Sequence, residues 1–153
     1  MSEAEIVTQE HNSEARLLAA LSHASVVAQG LGVLVGVVVY VTQREKSKYA
    51  AFQALQAAIF QLIGVGAMIA CWVCWTIGFS AALIPLSSVP TPADQTPPGF
   101  WALMATMLIP FGIMAIWALY GLWGAARTWQ GKEFRYIGIG AALERTGLWN
   151  GET

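Results

Sequence analysis

Charge is what this chain has least of. Eight Lys or Arg and nine Asp or Glu make up 11% of 153 residues, where a soluble domain carries about 25%. The few charges are gathered near the ends and in one turn. No charged residue occurs in the 27 positions between Arg16 and Arg44, the 45 between Lys48 and Asp94, or the 32 between Asp94 and Arg127. Uncharged apolar runs of that length read as membrane helices and exclude a water-soluble globule. A hydrophobic content of 56% excludes disorder for the middle of the chain, and a net charge of -1 exerts no general attraction on nucleic acid. Cysteine is scarce too. Cys71 and Cys74 are the whole set, too few for a structural zinc site, which takes four ligands. A redox C-x-x-C opens a helix, whereas this one lies mid-run in apolar surroundings that keep a thiol inert. Both are expected to pack. With no ionic residue inside the runs there is no proton or ion relay. Without a phosphate loop or a nucleophile–base pair, no enzyme chemistry is expected.

The pattern predicts an all-α integral membrane protein with three transmembrane helices and a short interfacial C-terminal segment. Residues 1–16 form a polar acidic tail, with Glu3, Glu5, Glu10 and Glu14 against Arg16. A cleaved signal would start basic, so the first apolar run is expected to remain as an anchor. The transmembrane domain covers 17–126, with spans at about 17–41, 57–84 and 101–126, followed by a polar interfacial segment over 127–153. Helices follow because each satisfies its own backbone in hydrocarbon, and three long blocks cannot supply the short strands of a barrel. Pro85, Pro90, Pro92, Pro97 and Pro98 make the connection before the third span stiff, and Pro110 should kink that span. Trp101 and Trp129 lie near its two ends, at interface positions. Arg44, Lys46 and Lys48 mark one turn, and Arg127, Lys132, Arg135 and Arg145 the C-terminal segment, while the proline loop has no basic residue. The positive-inside rule then predicts N-terminus outside and C-terminus inside. Gly30, Gly32 and Gly36 interrupt the first run; if that run is split or re-entrant, the N-terminus moves inside.

Phe52, Gln53, Gln56 and Phe60 recur at helical spacing, giving one face two glutamine amides near the membrane surface. Such amides either stay wet or grip a partner helix, and Gly32 and Gly36 offer a second face for close helix approach. These six are the candidate partner-contact residues. His23 sits inside the first run one turn after Ala19. It is either a neutral imidazole hydrogen-bonded to a neighbouring helix or a ligand to a chlorophyll-type pigment. Trp72 and Trp75 either pack between helices or form a flat wall for a pigment, quinone or lipid tail. Lys132, Phe134, Arg135 and Tyr136 are expected at the inner membrane surface, cations on headgroups and rings in the boundary.

The run Phe52-Gln53-Ala54-x-Gln56-Ala57-x-x-Phe60-Gln61, the opening Leu18-Ala19-Ala20-Leu21-Ser22-His23 and the segment Gly131-Lys132-Glu133-Phe134-Arg135-Tyr136 together resemble a family of small bacterial membrane proteins of unknown function. That family is grouped with the small helical membrane subunit of the chloroplast inner-envelope protein-import machinery. It typically has a histidine where this chain has Gln53, and a proline where Ile137 stands. The resemblance implies a helical membrane fold with no known catalytic residues. The expected function is a non-enzymatic accessory subunit in the bacterial cytoplasmic membrane. It would touch lipids and other integral membrane subunits, and would help assemble or stabilise a larger complex. The alternatives are a component of protein translocation or membrane insertion, suggested by the resemblance alone, and a pigment- or quinone-binding subunit. No metal or other cofactor is expected.

Overall fold

The computed structural model describes residues 3–92 and 94–146. The first two residues of the acidic tail and the last seven of the C-terminal segment fall outside them. The described residues form six helices, α1 (Glu3–Ala24), α2 (Gly30–Gln43), α3 (Lys48–Ser87), α4 (Phe100–Ala105), α5 (Leu108–Trp129) and α6 (Ile139–Arg145), with a 3-10 turn at Ser25–Ala28 joining the first two. No strand occurs among the described residues.

Two compact units result. The first comprises Met1–Val65 with Ala118–Thr153, the second Gly66–Trp117. In the first unit, alanine and glycine let helices approach closely: Ala19, Ala50, Ala54 and Ala57 are fully buried. A Cβ on Gly36 would lie 2.9 Å from Ala58 Cβ and 3.0 Å from Ala54 O, and one on Gly32 would overlap Ser25 O and Gln61 Oε1. α2 therefore lies directly against α3.

Among the described residues, two helical runs are long and apolar enough to cross a membrane, Lys48–Ser87 and Phe100–Trp129, with only 28% and 6% of their most apolar windows buried within the chain. A soluble protein's core helix would be mostly covered. The expected first span, 17–41, is not one helix. α1 ends at Ala24, and the chain turns through Ser25–Ala28 and through Gln29 at φ 55° before α2 begins. α2 has 14 residues, about 21 Å at 1.5 Å per residue, short of a hydrocarbon core of about 30 Å. The direction reverses as well. Arg16, early in α1, lies beside Gly131, and Tyr49, at the start of α3, donates to Lys132 O at 3.3 Å. Both ends of the α1–α2 hairpin thus meet the same end of the unit, and its tip lies about 17 residues along α3, where Gly30 is next to Val65. Helicity also reaches back into the acidic tail, to Glu3.

Candidate functional site

The most polar part of the interior forms around His23. α1 carries it, α3 carries Gln53, Gln56 and Gln61, α5 carries Tyr120, Gly124 and Thr128, and the chain after α5 brings Phe134 and Tyr136. That last segment can reach inward because Gly131 takes φ 73°, a left-handed turn that L side chains rarely adopt. Residues 132–136 then run without regular secondary structure. Side chains alternate there: Phe134 and Tyr136 are buried, while Lys132, Glu133 and Arg135 are exposed.

Both imidazole nitrogens are engaged. Nε2 lies 3.1 Å from Gln53 Oε1 and Nδ1 2.9 Å from the Tyr136 hydroxyl. The amide oxygen only accepts, so Nε2 carries the proton and Nδ1 accepts from the phenol. The result is a directed chain, Tyr136 O–H to His23 to Gln53. His23, Gln53 and Tyr136 are 0%, 1% and 2% exposed. α1 is not among the helices long and apolar enough to cross a membrane, and burial pushes the imidazole down to about 4, with the Gln53 hydrogen bond opposing, so His23 is neutral at ordinary pH. Burial, helped by the nearby Tyr120 hydroxyl, raises Tyr136 far above its ordinary value, and the phenol keeps its proton.

Gln56 serves the same segment twice: its Nε2 donates to Phe134 O at 3.4 Å and its Oε1 accepts from Tyr136 N–H at 3.3 Å. Gln61 Nε2 donates to Ser22 O at 2.9 Å and Ser25 Oγ at 3.1 Å, tying the hairpin turn to α3. Its Oε1 is buried without a hydrogen-bond partner, packed where a Gly32 side chain would be. Aromatic rings close the cluster. Phe60 stacks on Tyr136 with centroids 4.0 Å apart, and Tyr120 meets Phe60, Phe134 and Tyr136 edge-on at 5.6, 5.8 and 5.3 Å. A Cβ on Gly124 would come within 2.8 Å of Phe134 and 3.2 Å of His23 Nδ1, so α5 is close enough to seal that side.

With this geometry in place, comparison with protein-family models matches residues 14–143 to the magnetosome magnetite crystal formation protein family. The chain belongs to that family. The matched stretch contains every member of the His23 cluster and all of the second unit. Comparison with curated proteins and with solved structures gives no significant match.

In this magnetosome-family chain the residues singled out from sequence are placed as follows. Gln53, Gln56 and Phe60 share a face as their spacing requires, and Phe52 is buried beside them; the partners of both amides are within the chain. Gly32 and Gly36 face α3 of the same chain. Phe134 and Tyr136 point into protein, while Lys132 and Arg135 stay at the surface, where Arg135 pairs with Glu133 at 3.0 Å and Glu144 at 2.5 Å. An external ligand to His23 would first have to displace Tyr136 or Gln53. Ile137, in the place of the expected proline, is 91% exposed.

The second unit holds the tryptophan pair by itself. Trp72 meets Trp75 edge-on at 5.6 Å and Phe111 at 5.4 Å, and Trp75 stacks on Phe79 at 4.9 Å. Trp75 Nε1 donates to Thr106 Oγ1 at 3.0 Å, which satisfies the indole inside an apolar run. Cys71 and Cys74 are free, the first half-buried and the second exposed. Among the described residues, no group of three or more His, Cys, Asp or Glu side chains is placed to hold a metal ion.

Tyr120, Ser25 and Thr128 complete the cluster and stand in no motif read from the sequence, while Ser22 and Gln61 enter only within the motifs that carry the family resemblance. The one available signal was the period-two alternation of Phe134 and Tyr136 with exposed neighbours, which marks an extended segment with one buried face.

Proposed function

We propose that this chain is a non-enzymatic accessory subunit of the magnetosome membrane, acting by packing and by shaping its membrane surroundings. The observation that carries this reading is the closure of the His23 cluster. Its imidazole has both nitrogens occupied by side chains of the same chain, at 2.9 and 3.1 Å, leaving no position for a substrate. The faces left open are apolar: Leu31, Ile84, Leu108 and Ile116 are each about 70% exposed. They suit lipid and other membrane helices, and through them the subunit helps assemble or stabilise a larger complex.

In this reading two helices cross the bilayer and the α1–α2 hairpin enters and leaves by one face. Lys48–Ser87 and Phe100–Trp129 are each long and apolar enough to cross the hydrocarbon core. All eight Lys and Arg belong to the first unit, and the loop between the spans has none. Both termini then lie on the inner side, the outcome that a split first run implies. The likeness to the chloroplast import subunit rests on motifs alone and supports translocation less directly.

Solubilisation in mild detergent and purification through a C-terminal tag tests the reading. Integral membrane proteins should co-purify, and the preparation should be colourless. A trapped unfolded polypeptide would support translocation instead. Visible absorbance lost in His23→Leu would support pigment binding.

A further inference from the structure

The turn between α2 and α3 holds a feature that the packing role does not use. A cavity of about 90 Å³ opens there, lined by Tyr40, Arg44, Lys48, Ala51, Phe52 and Leu55. Arg44, Lys48 and Tyr40 line it together with the apolar Ala51, Phe52 and Leu55, and no carboxylate is among the described lining residues. Glu45 pairs with Arg44 at 3.6 Å, but the two side chains are 84% and 58% exposed, and water screens such a pair to little net attraction. The volume is about three times the share of one liquid water, room for the tetrahedral oxygens of one phosphodiester.

Below the cavity the surface turns apolar along both helices. On α2, Val37 and Val41 fall on the stripe that ends in Arg44 and are 44% and 54% exposed. On α3, Lys48, Leu55, Ile59 and Leu62 follow at helical spacing, with Leu62 61% exposed. Cations above and uncovered aliphatic side chains beneath match an amphiphile with an anionic head and hydrocarbon tails. Basic pockets between membrane helices on the inner side take such headgroups.

We propose that this cavity is a binding site for one anionic phospholipid, its phosphodiester between Arg44 and Lys48 with the Tyr40 hydroxyl donating, and its acyl chains along Val37, Val41 and Ile59. The proposal rests on the membrane reading above, and goes beyond it by giving the protein a preferred lipid class and the residues that select it.

The test uses the full chain, reconstituted in nanodiscs of phosphatidylcholine with or without phosphatidylglycerol, extracted into detergent and measured for retained lipid by native mass spectrometry. Wild-type protein should keep one phosphatidylglycerol in preference to phosphatidylcholine. Arg44→Gln with Lys48→Gln should weaken that retention roughly thirtyfold, the effect of two cations at an anionic surface. The charge-matched control Lys132→Gln with Arg145→Gln should change it less than about threefold. Arg44→Lys should keep most of it. Equal retention of the two lipids by the wild type overturns the proposal even if the double variant fails to insert. Equal loss in the control pair also overturns it, because retention would then reflect general surface charge. Competition by inorganic phosphate at equal concentration overturns it in favour of a free-anion site. Resistance to alkaline carbonate extraction is read in parallel: a chain that stays in the membrane without lipid preference fails only this proposal, whereas one that is extracted fails the membrane reading itself.

Discussion

At the scale of single residues, His23 shows what a buried polar group demands. A neutral imidazole in an apolar interior needs one donor and one acceptor, and Tyr136 and Gln53 supply them at 2.9 and 3.1 Å. Tyr136→Phe keeps the ring packing but leaves Nδ1 unpaired, so it should destabilise the protein by about 1–3 kcal/mol, read as a drop in thermal unfolding temperature in detergent. The pH dependence follows from the same burial. The folded pKa is lowered from 6.5 to about 4, so between those values the unfolded chain binds the proton that the folded one refuses. Stability should be fully present above 6.5 and fall as the pH drops towards 4. Subtracting the profile of His23→Leu isolates this slope, and identical profiles would show that the imidazole is not held neutral. Sequence spacing placed Gln53, Gln56 and Phe60 on one face, but spacing carries no information about what a face meets. Its partner, Tyr136, lies 113 residues beyond His23, and only folding brings them together.

Among the elements, the α1–α2 hairpin is where the sequence misleads. A 27-residue uncharged run has the composition of a span, and hydropathy does not register that Gln29 and Gly30 interrupt it. The interruption is conformational. Gln29 has φ 55° and ψ −132°, a region that glycine enters freely and β-branched residues do not. Gln29→Val should therefore cost about 1–3 kcal/mol, whereas Gln29→Gly should be tolerated; chemical denaturation of both in one detergent decides this, and equal effects would argue for a continuous helix. The glycines next in line are steric. An added Cβ on Gly32 would overlap the Ser25 carbonyl oxygen outright, whereas one on Gly36 would come to 2.9 Å from Ala58 Cβ and 3.0 Å from Ala54 O. Gly32→Ala should be the more damaging, at the upper end of the roughly 1–3 kcal/mol that overpacking costs. The segment after α5 was also hard to read. Its period-two alternation marks one buried face, but its rings suit a lipid boundary as well as they suit a protein interior.

For the whole molecule, the helical membrane character was readable, because an ionic content of 11% leaves no other solution in water or in lipid. The number of crossings was not, since it depends on a reversal that residues 25–30 encode locally. Two crossings place residue 14, the α2–α3 turn and residue 132 on one side of the membrane, and Asp94 on the other; three crossings would put residue 14 with Asp94. A background lacking Cys71 and Cys74 should insert normally, because neither thiol has a bonding role in the structure. Single cysteines at positions 14, 46, 94 and 132 in that background, exposed to a membrane-impermeant maleimide in intact cells and then after permeabilisation, test the topology most directly. The hairpin topology predicts labelling of position 94 in intact cells and of 14, 46 and 132 only after permeabilisation; labelling of 14 together with 94 would contradict it.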